Sequence, residues 1–456
     1  MIEYLTSFNF GLTQIAGQAL YATFIVVVFW SIFKSPIAGL YYLAPLIPAQ
    51  TIRSRMDAFP LGASVVTIVL LAVAIGLMRS GEPLFPKSPW KTPVLITIGF
   101  TFISFLYGTV VLHESFPPDW SSRRFEDWRN YATMLFMALL VSSAVKTTKQ
   151  IKIMVGIIAF GILVFNRGFW ADVSGRDFSS YSNDLRNTDG GVLGYAGING
   201  LAAFEAQSAL FLLGLSGFLK FKWKVAALAL TLFSAICLMY SLARAGYVAL
   251  VFGAIVLAVI HYRWLLVVMV AFGMTWTALV PNAVVERVTM TQTGGGSTQF
   301  DSSAESRISL WEEALDTITA NPVFGTGFNT YAYMQHFRNY QDSHNIYIKV
   351  VAETGYLGLG ILLTLMFTTF GAGYRLYKQA QLGFHKGLGL GLVGWVTAAM
   401  AANFFGDRWT FLQVNGYMWL FSGLVAAAMT IEANAQANEV VLDDEFDEES
   451  MELDAA

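Results

Sequence analysis

Residues 221–240 read FKWKVAALALTLFSAICLMY, residues 241–260 SLARAGYVALVFGAIVLAVI and residues 261–279 HYRWLLVVMVAFGMTWTAL. Three apolar runs follow one another here, at about 223–241, 246–260 and 264–281, approaching the ~20 residues that cross a bilayer as a helix. Only Arg244 in Ser-Leu-Ala-Arg and the triplet His261-Tyr262-Arg263 interrupt them. In lipid the backbone must satisfy its own polar groups, so consecutive runs of this kind read as transmembrane helices.

Outward from this core, further apolar runs lie at about 12–33, 36–49, 62–78, 94–112, 131–146, 151–165, 198–219, 355–377, 387–405 and 412–431. The run 36–49 is short and carries Pro45 and Pro48, which suggests a broken or re-entrant segment. The expectation is an all-α polytopic membrane protein of 12–14 transmembrane helices. Its parts would be an N-terminal transmembrane bundle (1–281), a large helical periplasmic loop (282–345), C-terminal helices (346–431) and an acidic tail (432–456).

Composition agrees. Of 456 residues 55% are hydrophobic and only 13% charged, about half the ~25% of a soluble domain. A soluble multidomain enzyme and a disordered chain are excluded, and Cys237 alone cannot make a disulfide framework. Residues 432–456 hold ten acids and no base, which reads as a disordered cytoplasmic extension. The first apolar segment lacks the basic start of a signal peptide and is expected to be retained.

The basic residues divide unequally. One set of short loops carries eleven Lys and three Arg, and the opposite set thirteen Arg and one Lys. The Lys-rich loops are short and nearly free of acids, so they are assigned to the cytoplasm. Topology would deplete arginine on the other side. Its planar fork of donors suits phosphate and carboxylate, although pairing with nearby acids explains part of the excess.

The loop 282–345 holds most of the candidate chemistry. Ser302 and Glu305 have capping-box spacing, and Ile308, Trp311, Leu315 and Ile318 recur at helical spacing until Asn321-Pro322. An amphipathic helix of about fifteen residues results, with Arg307 in its first turn. A cation there opposes the helix dipole and points to a bound anion or an acidic partner such as Glu286 or Asp301. Phe324-Gly325-Thr326-Gly327-Phe328-Asn329 lacks the Lys-Ser/Thr of a nucleotide loop and reads as a tight turn. Asp342-Ser343-His344-Asn345 opens another helix, with Asp342 or Ser343 as N-cap and His344 in the first turn, where a neutral imidazole is favoured.

Arg244 sits between two spans among small residues, a costly place for a charge; the alternative to a functional role is snorkelling to head groups. Glu205 is the other intramembrane charge and could pair with Arg244 or act in its own right. The acids Asp172, Asp177, Asp184 and Asp189 lack calcium-loop spacing, and no metal or cofactor is expected.

In order, these motifs are Arg244-Ala245-Gly246, Ser306-Arg307-x-x-Leu310-Trp311, Asn321-Pro322-x-x-Gly325-x-Gly327, Ser343-His344-Asn345 and Glu353-Thr354-Gly355-x-Leu357-Gly358. The series resembles the O-antigen ligase/polymerase superfamily of bacterial envelope glycosyltransferases. The sequence departs from that pattern before the first arginine, where Ser-Leu-Ala-Arg replaces the usual Ser-Arg.

The resemblance implies a metal-independent, inverting glycosyltransferase of the inner membrane with a periplasmic site. Its donor would be a glycan on undecaprenyl diphosphate, and its acceptor a hydroxyl on lipid A–core or another glycan. Arg244 and Arg307 match the arginines that hold the diphosphate, and His344 matches the histidine that activates the acceptor. Arg338, Arg186, Asn345, Glu205, Arg408 and Trp311 are further substrate-binding candidates; of these, Arg338, Arg186, Glu205 and Arg408 have no matching family position. Membrane lipids are expected partners and nucleic acid is not. A polysaccharide polymerase is the alternative within the family, and a lipid-linked glycan flippase the alternative outside it.

Overall fold

The computed structural model describes residues 12–186, 191–290, 302–334 and 343–454. Arg338, His336 and Asp342 lie outside these, as does Asp301. Apart from single-turn pieces, the described chain is built of helices. In order they are α1 (Leu12–Phe33), α2 (Ile37–Leu46), α3 (Val65–Arg79), α4 (Lys91–Val111), α5 (Arg123–Ala144) and α6 (Thr148–Val173). Next come α7 (Gly197–Ser216), α8 (Phe221–Tyr240), α9 (Arg244–Ile260), α10 (Trp264–Leu279), α11 (Asn282–Thr289) and α12 (Ser302–Ala320). The last three are α13 (Ile346–Gln379), α14 (Gly383–Ala402) and α15 (Leu412–Asp454).

Among the described residues nine helices are long and apolar enough to cross a membrane, or ten if α10 and α11, bent by 113°, count as one span. The expected 12–14 included four that fall short of that measure. Helices α2, α9 and α10 are shorter, with 10, 17 and 16 residues. Helix α5 begins with Arg123, Arg124, Glu126, Asp127 and Arg129 before its apolar part. The fold is the all-α polytopic membrane architecture the sequence implies.

Three helices form the interior. Helices α7 and α14 and the apolar part of α15 are buried on nearly every side, whereas α10 buries none of its residues. Without a hydrophobic drive between helices in lipid, close backbone approach must hold such a bundle. Glycine provides it. A Cβ on Gly214 of α7 would lie 2.7 Å from the Gly391 nitrogen of α14, and one on Gly389 would lie 2.5 Å from the Gly373 carbonyl of α13.

The polar contacts separate into two ends. At the lysine-rich end Lys146 pairs with Glu82 (2.6 Å), and His385 bridges Glu432 (2.6 Å) and Thr148 (3.2 Å). At the arginine-rich end Arg124 pairs with Glu114, Asn329 donates to Asp127 (2.8 Å) and Glu286 accepts from the Tyr181 nitrogen (2.7 Å). Helix α15 runs on through the acidic segment as far as Asp454. With no proline or glycine from 432 onward, nothing in the local sequence stops the helix.

Candidate active site at the arginine-rich end

The segment after α12 is shaped by glycine. Helix α12 ends at Ala320, before the expected Asn321-Pro322 stop, and Gly325 and Gly327 take φ of +65° and +115°. The segment does more than turn. Helix α13 breaks at Gly355 (φ +68°), and residues 322–331 fill the break. Tyr356 N donates to the Pro322 carbonyl (2.8 Å), Thr326 N to Ala352 (3.0 Å) and Phe328 N to Ser104 (3.2 Å). Glu353, buried beneath, accepts from Asn329 N (3.0 Å) and Tyr331 N (3.1 Å) with its two oxygens. Both carboxylate oxygens therefore position the loop.

His344 is held from two sides. Trp311 of α12 donates its indole N–H to the Ser343 carbonyl (2.9 Å), and Ile346 N donates to Gly406 (3.2 Å). The expected cap is corrected: Asn345, not Asp342 or Ser343, caps α13, its Oδ1 accepting from Tyr347 N (3.0 Å) and Ile348 N (3.3 Å). His344 thus precedes the helix instead of occupying its first turn, and its φ is +53°. A left-handed backbone at a non-glycine residue costs energy and concentrates at functional sites.

Arg307 also moves relative to expectation. Helix α12 starts at Ser302, so Arg307 lies in its second turn. It precedes Trp311 by four residues and therefore shares the helix face that meets the His344 segment. Arg244 is the first residue of α9, after Leu242 with φ +52°. A guanidinium at a helix N-terminus adds to the dipole's attraction for an anion.

The other candidates are spread more widely. Arg186 donates to Asn199 Oδ1 (3.3 Å). Arg408 is buried, with its backbone N–H on Asn403 (2.9 Å). Glu205 lies deep in α7 beside Asn166, whose amide, turned to satisfy its neighbours, reaches both carboxylate oxygens at 2.9 and 3.1 Å. Asn166 then accepts from Ser234 at 2.8 Å, a cluster linking α6, α7 and α8.

Two further basic side chains have partners at this end. Arg287 of α11 is buried with its guanidinium 5.0 Å from the Tyr181 ring. Lys349 of α13 pairs with buried Asp407. A cavity of about 700 Å³ opens beside Lys349 and Asp407, walled also by Arg53, Asp127, Tyr333 and others. None of His344, Arg244, Arg307, Arg186, Asn345, Glu205, Arg408 and Trp311 lines it, but Ile346 and Asp407 bring its wall beside His344 and Arg408. Sequence could have suggested Asp127 and Arg129 through their density in the first turns of α5; nothing local links them to Asp407. Among the described residues no three His, Cys, Asp or Glu side chains are grouped to hold a metal ion.

The fold defines a polytopic membrane protein, and the candidate residues Arg244, His344 and Asn345 stand at the starts of two of its helices. Residues 226–363 match the family described as O-Antigen ligase, which supports the O-antigen ligase/polymerase superfamily and a membrane enzyme of that type. The matched stretch contains Arg244, Arg307 and His344. No curated protein matches the chain.

Proposed function

We propose that this protein transfers a glycan from undecaprenyl diphosphate to an acceptor hydroxyl, on lipid A–core or another glycan, at the periplasmic face of the bacterial inner membrane. The reading is carried by three residues of the matched stretch and their places in the fold: His344 precedes α13, Arg307 shares the α12 face that holds its neighbour, and Arg244 opens α9. In a single displacement the acceptor oxygen attacks the anomeric carbon as the bond to the diphosphate oxygen breaks. Undecaprenyl diphosphate departs with the electron pair, and the configuration inverts. Arg244 and Arg307 stabilise the growing negative charge, and His344 takes the acceptor's proton. The two guanidinium forks together supply the positive charge that the departing diphosphate calls for.

Ligase and polymerase share this chemistry and differ in the acceptor. The test is transfer from purified undecaprenyl-diphosphate-linked glycan in detergent with EDTA. Wild type should transfer and His344→Ala should not, although both bind the donor. Tight donor binding with no transfer to any acceptor by the wild type would replace this reading with a flippase.

A further inference from the structure

We propose that the cavity between α3, α4, α5 and the N-terminal part of α13 binds the uncharged saccharide portion of the acceptor. This deepens the glycosyltransferase reading and rests on it. The first argument is charge. Five carboxylates line the cavity: Asp57, Glu126, Asp127, Glu353 and Asp407. Four cations oppose them: Arg53, Arg123, Arg129 and Lys349. A diphosphate would meet more carboxylates than cations, so the cavity does not suit the donor's charged group. A polyol suits it, because each hydroxyl both donates and accepts.

Hydrogen-bond capacity is the second argument. Asp407 is 6% exposed; Lys349 takes one of its oxygens, while its Oδ1 is buried with no protein partner. On the same wall Arg129 Nε is a buried donor with no partner. Buried polar groups are ordinarily satisfied, so an orphaned acceptor and an orphaned donor around one cavity call for a ligand that supplies both. Asp127 uses one oxygen on Asn329 and adds a further carboxylate to the wall.

Shape is the third. The volume of about 700 Å³ falls within the ~300–1,000 Å³ typical of small-molecule sites. Tyr333, 46% exposed at the wall, offers a ring face for a sugar's C–H surface.

The origin of the walls adds a fourth argument. Apart from residues 328–362, they come from 50–67, 97–131 and 407–412, outside the matched stretch 226–363. The residues proposed for donor chemistry all fall inside it. Acceptor recognition is the property that must vary among enzymes sharing one donor, and it is assigned here to a cavity built largely from outside the matched stretch.

The experiment uses the full chain in nanodiscs and two separate probes: a labelled panel of neutral hexose and N-acetylhexosamine oligosaccharides, and undecaprenyl diphosphate. Wild type should bind members of the panel. Tyr333→Ala, at an exposed position, and Asp127→Asn should weaken that binding by about tenfold, the scale of one lost directional contact, while undecaprenyl diphosphate binds as before. If wild type retains no oligosaccharide, or if both probes weaken equally in the variants, the assignment is wrong. Transfer is measured on the same samples. Saccharide binding without transfer would remove the proposed reaction and leave the cavity assigned; transfer with variants that bind the panel like wild type would do the reverse.

Discussion

His344 has a left-handed backbone, φ +53°, and this changes how it should be tested. Alanine removes the imidazole but remains strained at such a φ, whereas asparagine tolerates it. His344→Asn should therefore unfold thermally like wild type and lose transfer by about 10²–10⁴-fold, the usual contribution of a general base. Unchanged turnover would end the role assigned to the imidazole. Arg244→Lys should lose most activity although the charge stays, because a point charge cannot replace the bidentate fork; turnover near wild type would identify Arg244 as a topological anchor. Asp127 gives a pH signature. Burial raises its carboxyl above the ordinary value, against the hydrogen bond from Asn329 and the charges of Arg123 and Lys349, with Glu126 adding to the rise. A carboxyl raised on folding costs stability when ionised, and the cost disappears below the unfolded value of about 3.9. Between about pH 7 and about pH 4 the difference in unfolding temperature between wild type and Asp127→Asn should move in favour of wild type at the acid end.

At the level of elements, the break in α13 organises the site. Glu353 satisfies two backbone N–H groups of the inserted segment, and Glu353→Gln leaves only one acceptor oxygen for both. The expected loss is about 1–3 kcal/mol, the cost of an unsatisfied buried group, read by thermal unfolding in detergent. Gly327→Ala should be worse, because its Cβ would lie 2.2 Å from the Gly108 Cα of α4 while φ is +115°; folded yield is the readout. This is also where sequence reading reached its limit. The helix over 302–320, its stop at Asn321-Pro322 and the turn at the paired glycines were legible because each depends on a few adjacent residues. The cap of α13 was not. Asp342, Ser343 and Asn345 can all cap, and the choice depends on Trp311 holding the Ser343 carbonyl and Gly406 receiving the Ile346 N–H. Those partners are remote in sequence.

On the scale of the whole molecule, hydropathy gave the membrane class and the run of helices, and the uneven use of Lys and Arg distinguished the two ends of the bundle. The cavity was invisible because its walls are separated by hundreds of residues and no local pattern couples them. The bond from Trp409 Nε1 to the Tyr131 hydroxyl (3.2 Å) closes across 278 residues, and Gln413 of α15 reaches back to Gln50 (2.8 Å). Helix α5 packs along α15, where a Cβ on Gly423 would lie 2.6 Å from the Ala138 carbonyl.

That closure has a consequence in time. Chains grow at roughly 5–20 residues per second, so Tyr131 leaves the ribosome tens of seconds before Trp409 exists. Throughout that interval the polar start of α5 sits in a nascent bundle without its final neighbour. The cavity wall is completed by residues 407–412, so a chain stopped short of Asp407 leaves it unfinished.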